Sequence, residues 1–479
     1  MNVVFIQLLP LVYIFASCYG SEQPNYILSD KDSTLVLDHY MNYPYPYIKP
    51  KQDDTKSPPP IYGATLQEIN HYFYNGFGDL GRTGTFRIII AGGGTGSSLL
   101  HYSYIFRNLN VQIVYLDFSK KSLDIARARA ENYGFYNISF IHSSIFNIPK
   151  LNLGIFDYID CYGVLHHLPD PNVGLRVLKD ILATNGGMFL MLYGYYGRQG
   201  IYSMQDTLKI MEGNKSLTLK DEVKIGRIVY NNLKEEDWIN VSGLGSEEAK
   251  SDVGFYDLYL NKQDRAFTIP ELYEYIEDKG GLHVVNFYGD QYRESLDYCP
   301  KHLKKLNTRA RYAVNEVIIG HESKQVIFVS KKKSSKASLD DLDNIPFFQF
   351  SKIGPILEVL SSNIKNVDIR VTMKLRYTIP RRFTFPISRF SLLYLKLILR
   401  NTLTVKDIIE FGMKNFKYKE IDHHKFRKRL LKDFNRTIGS LILHGFVLLR
   451  HKDFPVMEQR ETQDEIIKVE LLNTSNIIN

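Results

Sequence analysis

Between residues 87 and 98 the chain reads RIIIAGGGTGSS, an apolar run from Ile88 to Ala91 followed by Gly92, Gly93, Gly94 and Gly96. Glycines in that position permit positive φ and let the backbone approach a ligand closely. Asp117 ends the next apolar run, VQIVYLD, where a carboxylate can accept hydrogen bonds from both hydroxyls of a ribose. Two cofactor chemistries use such a turn. A dinucleotide fingerprint places its third glycine where Ser97 stands here, whereas this chain has G-x-G-x-G, which leaves room for a bulkier group over the turn. Asp117 serves a ribose in either case. A second set of chemically competent residues follows: His166 and His167 in GVLHHLPDP, then Tyr193, Tyr195, Tyr196 and Arg198 in YGYYGRQGIY. Adjacent histidines point in different directions, and no acid or cysteine set completes a ligand shell around them, so no metal is expected.

The elements that must hold these residues alternate along the chain. FRIIIA, SSLLHYSYIF, VQIVYLD, KKSLDIARARAENYG, ISFIHSS, FDYIDCYG, NVGLRVLKDILATNGG and MFLMLYG read as strand and helix in turn. That pattern implies an α/β fold, a doubly wound Rossmann-like parallel sheet with helices on both faces, spanning residues 85–195. An irregular α+β extension follows over 196–330. The Lys/Ser-rich segment at 331–345 reads as a linker. Helical periods and the short strand FVLLRH then resemble a smaller, mainly helical, winged-helix-like domain at 346–455, followed by a tail at 456–479. Residues 1–20 form a signal-peptide-like segment that implies the secretory pathway, although no Lys or Arg precedes the apolar run; the alternative is a cytoplasmic protein. That run is too short for a confident transmembrane span. Residues 21–84, with the proline-rich KPKQDDTKSPPPIYG, read as an arm and linker.

Composition sets wider bounds. A hydrophobic fraction of 44% over 479 residues supports folded domains and excludes a disordered chain. The net charge of +8 is mild for this length. The basic runs RRF (Arg381–Phe383) and HHKFRKRLLKDFNR admit nucleic-acid contact without indicating it, because solvated helix faces explain them equally. Three cysteines, Cys18, Cys161 and Cys299, are too few and too scattered for a disulfide framework or a zinc site.

IIIAGGGTGSS, VYLDFSKKSLDIAR, FIHSSIFNIP and FDYIDCYGVLHHLPDP, in that order, resemble the successive motifs of the class I S-adenosylmethionine-dependent methyltransferases. The resemblance covers residues 85 to about 195. It implies a methyl-transferring enzyme with S-adenosylmethionine as cofactor. Gly92, Gly93, Gly94 and Gly96 would face the methionine and ribose part of the cofactor, Asp117 the ribose, and Ser144 and Ile145 the adenine. Phe118, Tyr162 and Gly163 complete the cofactor-facing set. Many members carry an acidic residue two positions before the first glycine; this chain has Ile90 there. Tyr193, Tyr195, Tyr196 and Arg198 are the candidates for the side of an unidentified methyl acceptor, a small molecule or a protein. The competing readings are a nicotinamide-dependent oxidoreductase on the same sheet and a cofactor-binding protein that has lost catalysis.

Overall fold

The computed structural model describes residues 41–472 except 42, 47, 214–216, 243–247, 289–304, 350–366, 375–380, 388, 417–421 and 458–464. The signal-peptide-like segment lies outside the described residues, as do Cys18 and Cys299. Strand β1 (Phe86–Ala91) is apolar without alternation because both its faces are covered. Ile88 and Ile90 enter the apolar core on one side of the sheet, Ile89 and Ala91 the core on the other. β2 (Val111–Asp117) and β3 (Ile138–His142) extend the sheet on one flank, β4 (Phe156–Tyr162) and β5 (Leu182–Gly194) on the other, all parallel. β6 (Ala266–Phe267) adds a short parallel pairing to the end of β5, and β8 (Lys324–Ser330) runs antiparallel between β5 and β7 (His283–Phe287). The order is β3-β2-β1-β4-β5-β8-β7. It reverses direction between β1 and β4, where connections leaving to opposite sides open a crevice at the carboxyl ends of the strands.

β5 is longer than the pattern MFLMLYG implies, because it continues back through the NGG that reads as a break. Gly187 makes this necessary: a Cβ there would lie 2.2 Å from the ring of Phe73. Phe73 belongs to a helix, Leu66–Phe73, inside the segment read as an arm. Thr65 accepts the Glu68 N–H at 3.2 Å while the Glu68 carboxylate accepts the Thr65 N–H at 2.7 Å, a reciprocal cap that starts the helix. Ile69, Tyr72 and Phe73 are buried, with Tyr72 stacked on Phe328 of β8 at 4.0 Å.

The other side of that helix holds the carboxyl-terminal region. Leu449 donates its N–H to His71 Nδ1 at 3.1 Å, and Gln349 donates to the Glu68 carboxylate at 2.6 Å. Leu449 lies on β12 (Val447–His451), which pairs antiparallel with β9 (Asn344–Phe348). Helices Arg389–Ile398, Val405–Asn415 and His423–Leu443 pack here, and β10 (Val367–Lys374) forms an antiparallel sheet with β11 (Arg381–Ile387) and β13 (Glu465–Leu472). One apolar cluster runs from Ile88 and Tyr158 through Phe73 and Phe347 to Tyr394, Ile408 and Phe434. No helix of the described residues is long and apolar enough to cross a membrane.

Within 331–345 the backbone is pinned to the same helix. Ala337 donates its N–H to the His71 carbonyl at 2.8 Å and Ser335 its hydroxyl to the Tyr72 carbonyl at 2.9 Å. Composition concealed this docking because hydrogen bonds rather than apolar side chains make it. Trypsin should therefore spare Lys331 to Lys336 in the native chain at exposures that cut solvent-facing lysines, since an extended substrate strand requires those bonds to open. Early cleavage there, seen by mass spectrometry of timed digests, would show that the segment opens independently of the core.

Candidate functional site

The glycine turn occupies the carboxyl end of β1 at the switch point. Gly92, Gly94 and Gly96 have φ of 75°, 60° and 94°. Gly93 has no room for a side chain, since a Cβ would lie 2.2 Å from the Tyr115 ring. Two residues of β2 hold the turn: Tyr115 donates its hydroxyl to the Gly94 carbonyl at 2.6 Å, and Asp117 Oδ2 accepts the Gly94 N–H at 2.8 Å. Asp117 Oδ1 accepts from the Ser119 N–H at 2.8 Å. The cap of the following helix, Lys120–Asn132, is Ser119, whose Oγ accepts from the Ser122 N–H. Asp117 is 4% exposed, and burial pushes its carboxyl up to about 6. The carboxylate thus accepts backbone N–H groups from Gly94, Ser119 and Phe118 and still has lone-pair capacity for a ligand hydroxyl.

The other residues expected on the cofactor side follow the carboxyl ends of β2, β3 and β4. Phe118, half-buried after β2, accepts from His142 Nε2 through its carbonyl at 2.9 Å. Ser144 Oγ accepts the Phe146 N–H at 3.3 Å, capping the short helical turn Ile145–Leu151, while the Ile145 side chain is given to the core. Tyr162 and Gly163 end β4, Tyr162 meeting Tyr62 edge to face at 5.3 Å and Gly163 donating its N–H to the Met191 carbonyl at 3.2 Å. Cys161 is buried, and burial pushes its thiol up.

A strap from the amino-terminal segment crosses the turn, and no local pattern in the sequence announces it. Thr95 donates its hydroxyl to the Pro46 carbonyl at 2.7 Å, and the Tyr45 carbonyl oxygen lies 2.9 Å from where a Cβ on Gly94 would stand. Arg129 clamps the strap to the turn with a fork onto both oxygens of Asp53, at 2.7 and 2.8 Å, and a bond to the Thr95 carbonyl at 2.8 Å. Tyr43 stacks on Tyr256 at 5.0 Å, which ties the strap to the helix Asp252–Tyr259 of the extension.

The four residues proposed for the acceptor side separate. The Tyr193 ring stacks on His166 at 3.7 Å, and the Arg198 guanidinium lies 3.5 Å from the centre of that ring. Tyr195 is 41% exposed and meets Tyr196 edge to face at 5.3 Å, on the side of the loop turned to solvent. Arg198 donates to Asp264 at 2.8 Å, with the two side chains 1% and 4% exposed. Neither ring nitrogen of His166 has a partner among the described residues, and burial holds its pKa well below the ordinary histidine range. His167 Nδ1 is 3.0 Å from the Gln263 carbonyl.

The fold and this site define a class in structural terms, an open, doubly wound α/β sheet with a glycine turn and an acidic residue at its switch point. Residues 89–189 match the model of a family described as a methyltransferase domain. A protein of Synechococcus sp. is 32% identical over 263 residues, 53% of this chain and 60% of its own length. A protein of Rickettsia prowazekii is 21% identical over 459 residues, 89% of this chain and 76% of its own. Among solved structures, PKMT2 from Rickettsia typhi in complex with AdoHcy shares the fold with a TM-score of 0.54 at 15% identity, covering 85% of this chain and 77% of that one.

Two outcomes follow from the buried ion pairs. Arg198→Ala strands the Asp264 carboxylate and should cost about 3–5 kcal/mol of stability, read from the denaturant midpoint. Arg129→Ala should release the strap, so that trypsin cuts at Lys49 and Lys51 much faster while the thermal transition of the core moves little.

Proposed function

We propose that this chain transfers the methyl group of S-adenosylmethionine to an acceptor nucleophile, a small molecule or a protein group. The observation that carries the reading is the glycine turn at the end of β1 held by Tyr115 and Asp117 at the switch point of the sheet. S-adenosylmethionine, when bound, supplies a methyl group already activated by its sulfonium. The residues present fit it: Gly92, Gly94 and Gly96 hold the positive-φ backbone of a turn that a ligand can approach closely, and Asp117 stands beside that turn as an acceptor for a ribose hydroxyl. In this reading Gly92, Gly93, Gly94 and Gly96 lie against the cofactor, with Phe118, Ser144 and Ile145 at its adenine end and Tyr162 and Gly163 at the opposite wall.

The work left to the protein is positioning and exclusion of water. The strap, clamped by Arg129 and Asp53, covers the turn on its outer side. Tyr193 is held between His166 on one face and the Arg198 guanidinium on the other, which fixes the end of β5 beside the crevice. Burial holds the His166 pKa well below the ordinary histidine range, so the ring stacked on Tyr193 is neutral. Tyr195 and Tyr196 belong to the rim.

Calorimetry on the purified chain should show binding of S-adenosylhomocysteine and none of NADH. Asp117→Ala should weaken that binding by about 1–3 kcal/mol, the range for a hydrogen bond to a charged group. Labelled methyl should then pass from S-adenosylmethionine into a component of a whole-cell extract. Absence of heat and of thermal shift with S-adenosylhomocysteine, on a folded sample, overturns the reading.

A further inference from the structure

The methionine end of the proposed cofactor carries an α-ammonium, and an ammonium taken out of water needs an anionic or strongly accepting partner. The residue two positions before the first glycine, Ile90, is apolar and supplies none. The sheet itself shows where an acid stands instead. β1 lies between β2 and β4, and Ile90 is flanked in register by Tyr115 on one side and Asp160 on the other. Two carboxylates therefore border the glycine turn from opposite sides, Asp117 at the end of β2 and Asp160 near the end of β4. A ligand whose ribose sits at Asp117 and which crosses the end of β1 carries its other end toward β4.

Asp160 is 1% exposed, and among the described residues it has no ion-pair partner. Its side chain lies on the same face of the sheet as Ile90 and under the helix that begins at the turn, because it accepts the Tyr102 hydroxyl at 2.8 Å and a bond from Ser98 in the first turn of that helix. Tyr102 also meets the Tyr158 hydroxyl at 2.8 Å and accepts the Ala64 N–H at 3.1 Å. This is a built acceptor: a carboxylate oriented by two hydroxyls, buried beside the turn, with no cation among the described residues paired to it.

We propose that Asp160 binds the α-ammonium of the cofactor's methionine end, replacing the acid that position 90 lacks. The proposal rests on the methyltransferase reading above and assigns a further residue to that site. It has a consequence in pH. Burial pushes the Asp160 carboxyl up to about 7, against the opposing hydroxyls of Tyr102 and Ser98. The titratable groups facing it are Tyr102 from the helix, Tyr158 from β4 and Tyr115 from β2, with Cys161 next to it in the chain; burial raises Tyr102, Tyr115 and Cys161, which stay neutral across the physiological range. An ammonium favours the ionised carboxylate, so binding is weakened as pH falls and Asp160 takes up its proton. Between pH 8 and pH 6 the ionised fraction of a group titrating at 7 drops about tenfold.

The test compares three ligands on the full chain: S-adenosylhomocysteine, its analogue without the amino group, and 5′-methylthioadenosine, which lacks the whole amino-acid end. Wild type should bind S-adenosylhomocysteine at least tenfold more tightly than the deaminated analogue at pH 7.5, which is read without any variant. Asp160→Asn should remove that preference, weaken S-adenosylhomocysteine at least tenfold, and leave 5′-methylthioadenosine within twofold. In the variant the pH dependence should shrink to the acid side, near 6, where Asp117 titrates. Equal wild-type affinity for S-adenosylhomocysteine and the deaminated analogue overturns the proposal, as does an Asp160→Asn variant that binds both as wild type does, or that loses 5′-methylthioadenosine equally. Failure of wild type to bind any of the three overturns the cofactor reading itself, and the proposal with it.

Discussion

The bond from the Gly94 N–H to Asp117, paired with the bond from the Tyr115 hydroxyl to the Gly94 carbonyl, is the interaction on which the site depends. Both polar groups of one peptide-linked residue are satisfied by the neighbouring strand, so the turn is tied to β2 rather than left to solvent. Its orientation is thereby set by the sheet. Tyr115 fills the space beside Gly93 and leaves none for a methyl group, which makes the glycine a packing requirement as well as a conformational one. With the turn held, the helix Ser97–Ile105 starts in a defined direction and brings Ser98 and Tyr102 over β4.

The strap and the extension complete the enclosure by a different kind of interaction. Arg129 and Asp53 are 3% and 8% exposed, so their pairing is made in a region where breaking it leaves an uncompensated charge. Arg198 and Asp264 repeat the arrangement beside Tyr193. These pairs add little to stability beyond what apolar side chains of the same shape would supply, but they specify where each segment docks. Around them the aromatic residues Tyr43, Tyr256, Tyr193 and His166 supply broad faces of low conformational freedom.

Burial of the helix Leu66–Phe73 joins the two ends of the chain. It packs its aromatic residues on β5 and β8 and turns its polar groups toward β12 and the segment at 331–345. Tyr72, Phe73 and His71 thus serve one core with two contributors, and burial holds the His71 pKa well below the ordinary histidine range while its Nδ1 accepts from Leu449. This helix is why the carboxyl-terminal region and the sheet share an apolar cluster.

The local features were legible in the sequence. Four apolar residues without alternation imply a strand covered on both faces, the glycines imply a turn that meets a ligand, and Asp117 at the end of the next strand implies an acceptor beside it. Each of these rests on residues within one turn or one strand, where side-chain period and backbone sterics act directly. The tertiary structure alone decided which distant residues close the site. Asp53 meets Arg129 across 76 positions, and Asp264 meets Arg198 across 66, with no periodicity that could announce either pairing. Asp160 stands beside Ile90 only because β4 pairs with β1, and strand order is a property of the whole sheet. Tyr195 and Tyr193, two residues apart, point to solvent and to His166 because the strand ends between them. Composition described 331–345 and the amino-terminal segment as connectors, since hydrogen bonds from backbone groups carry no signature in residue type.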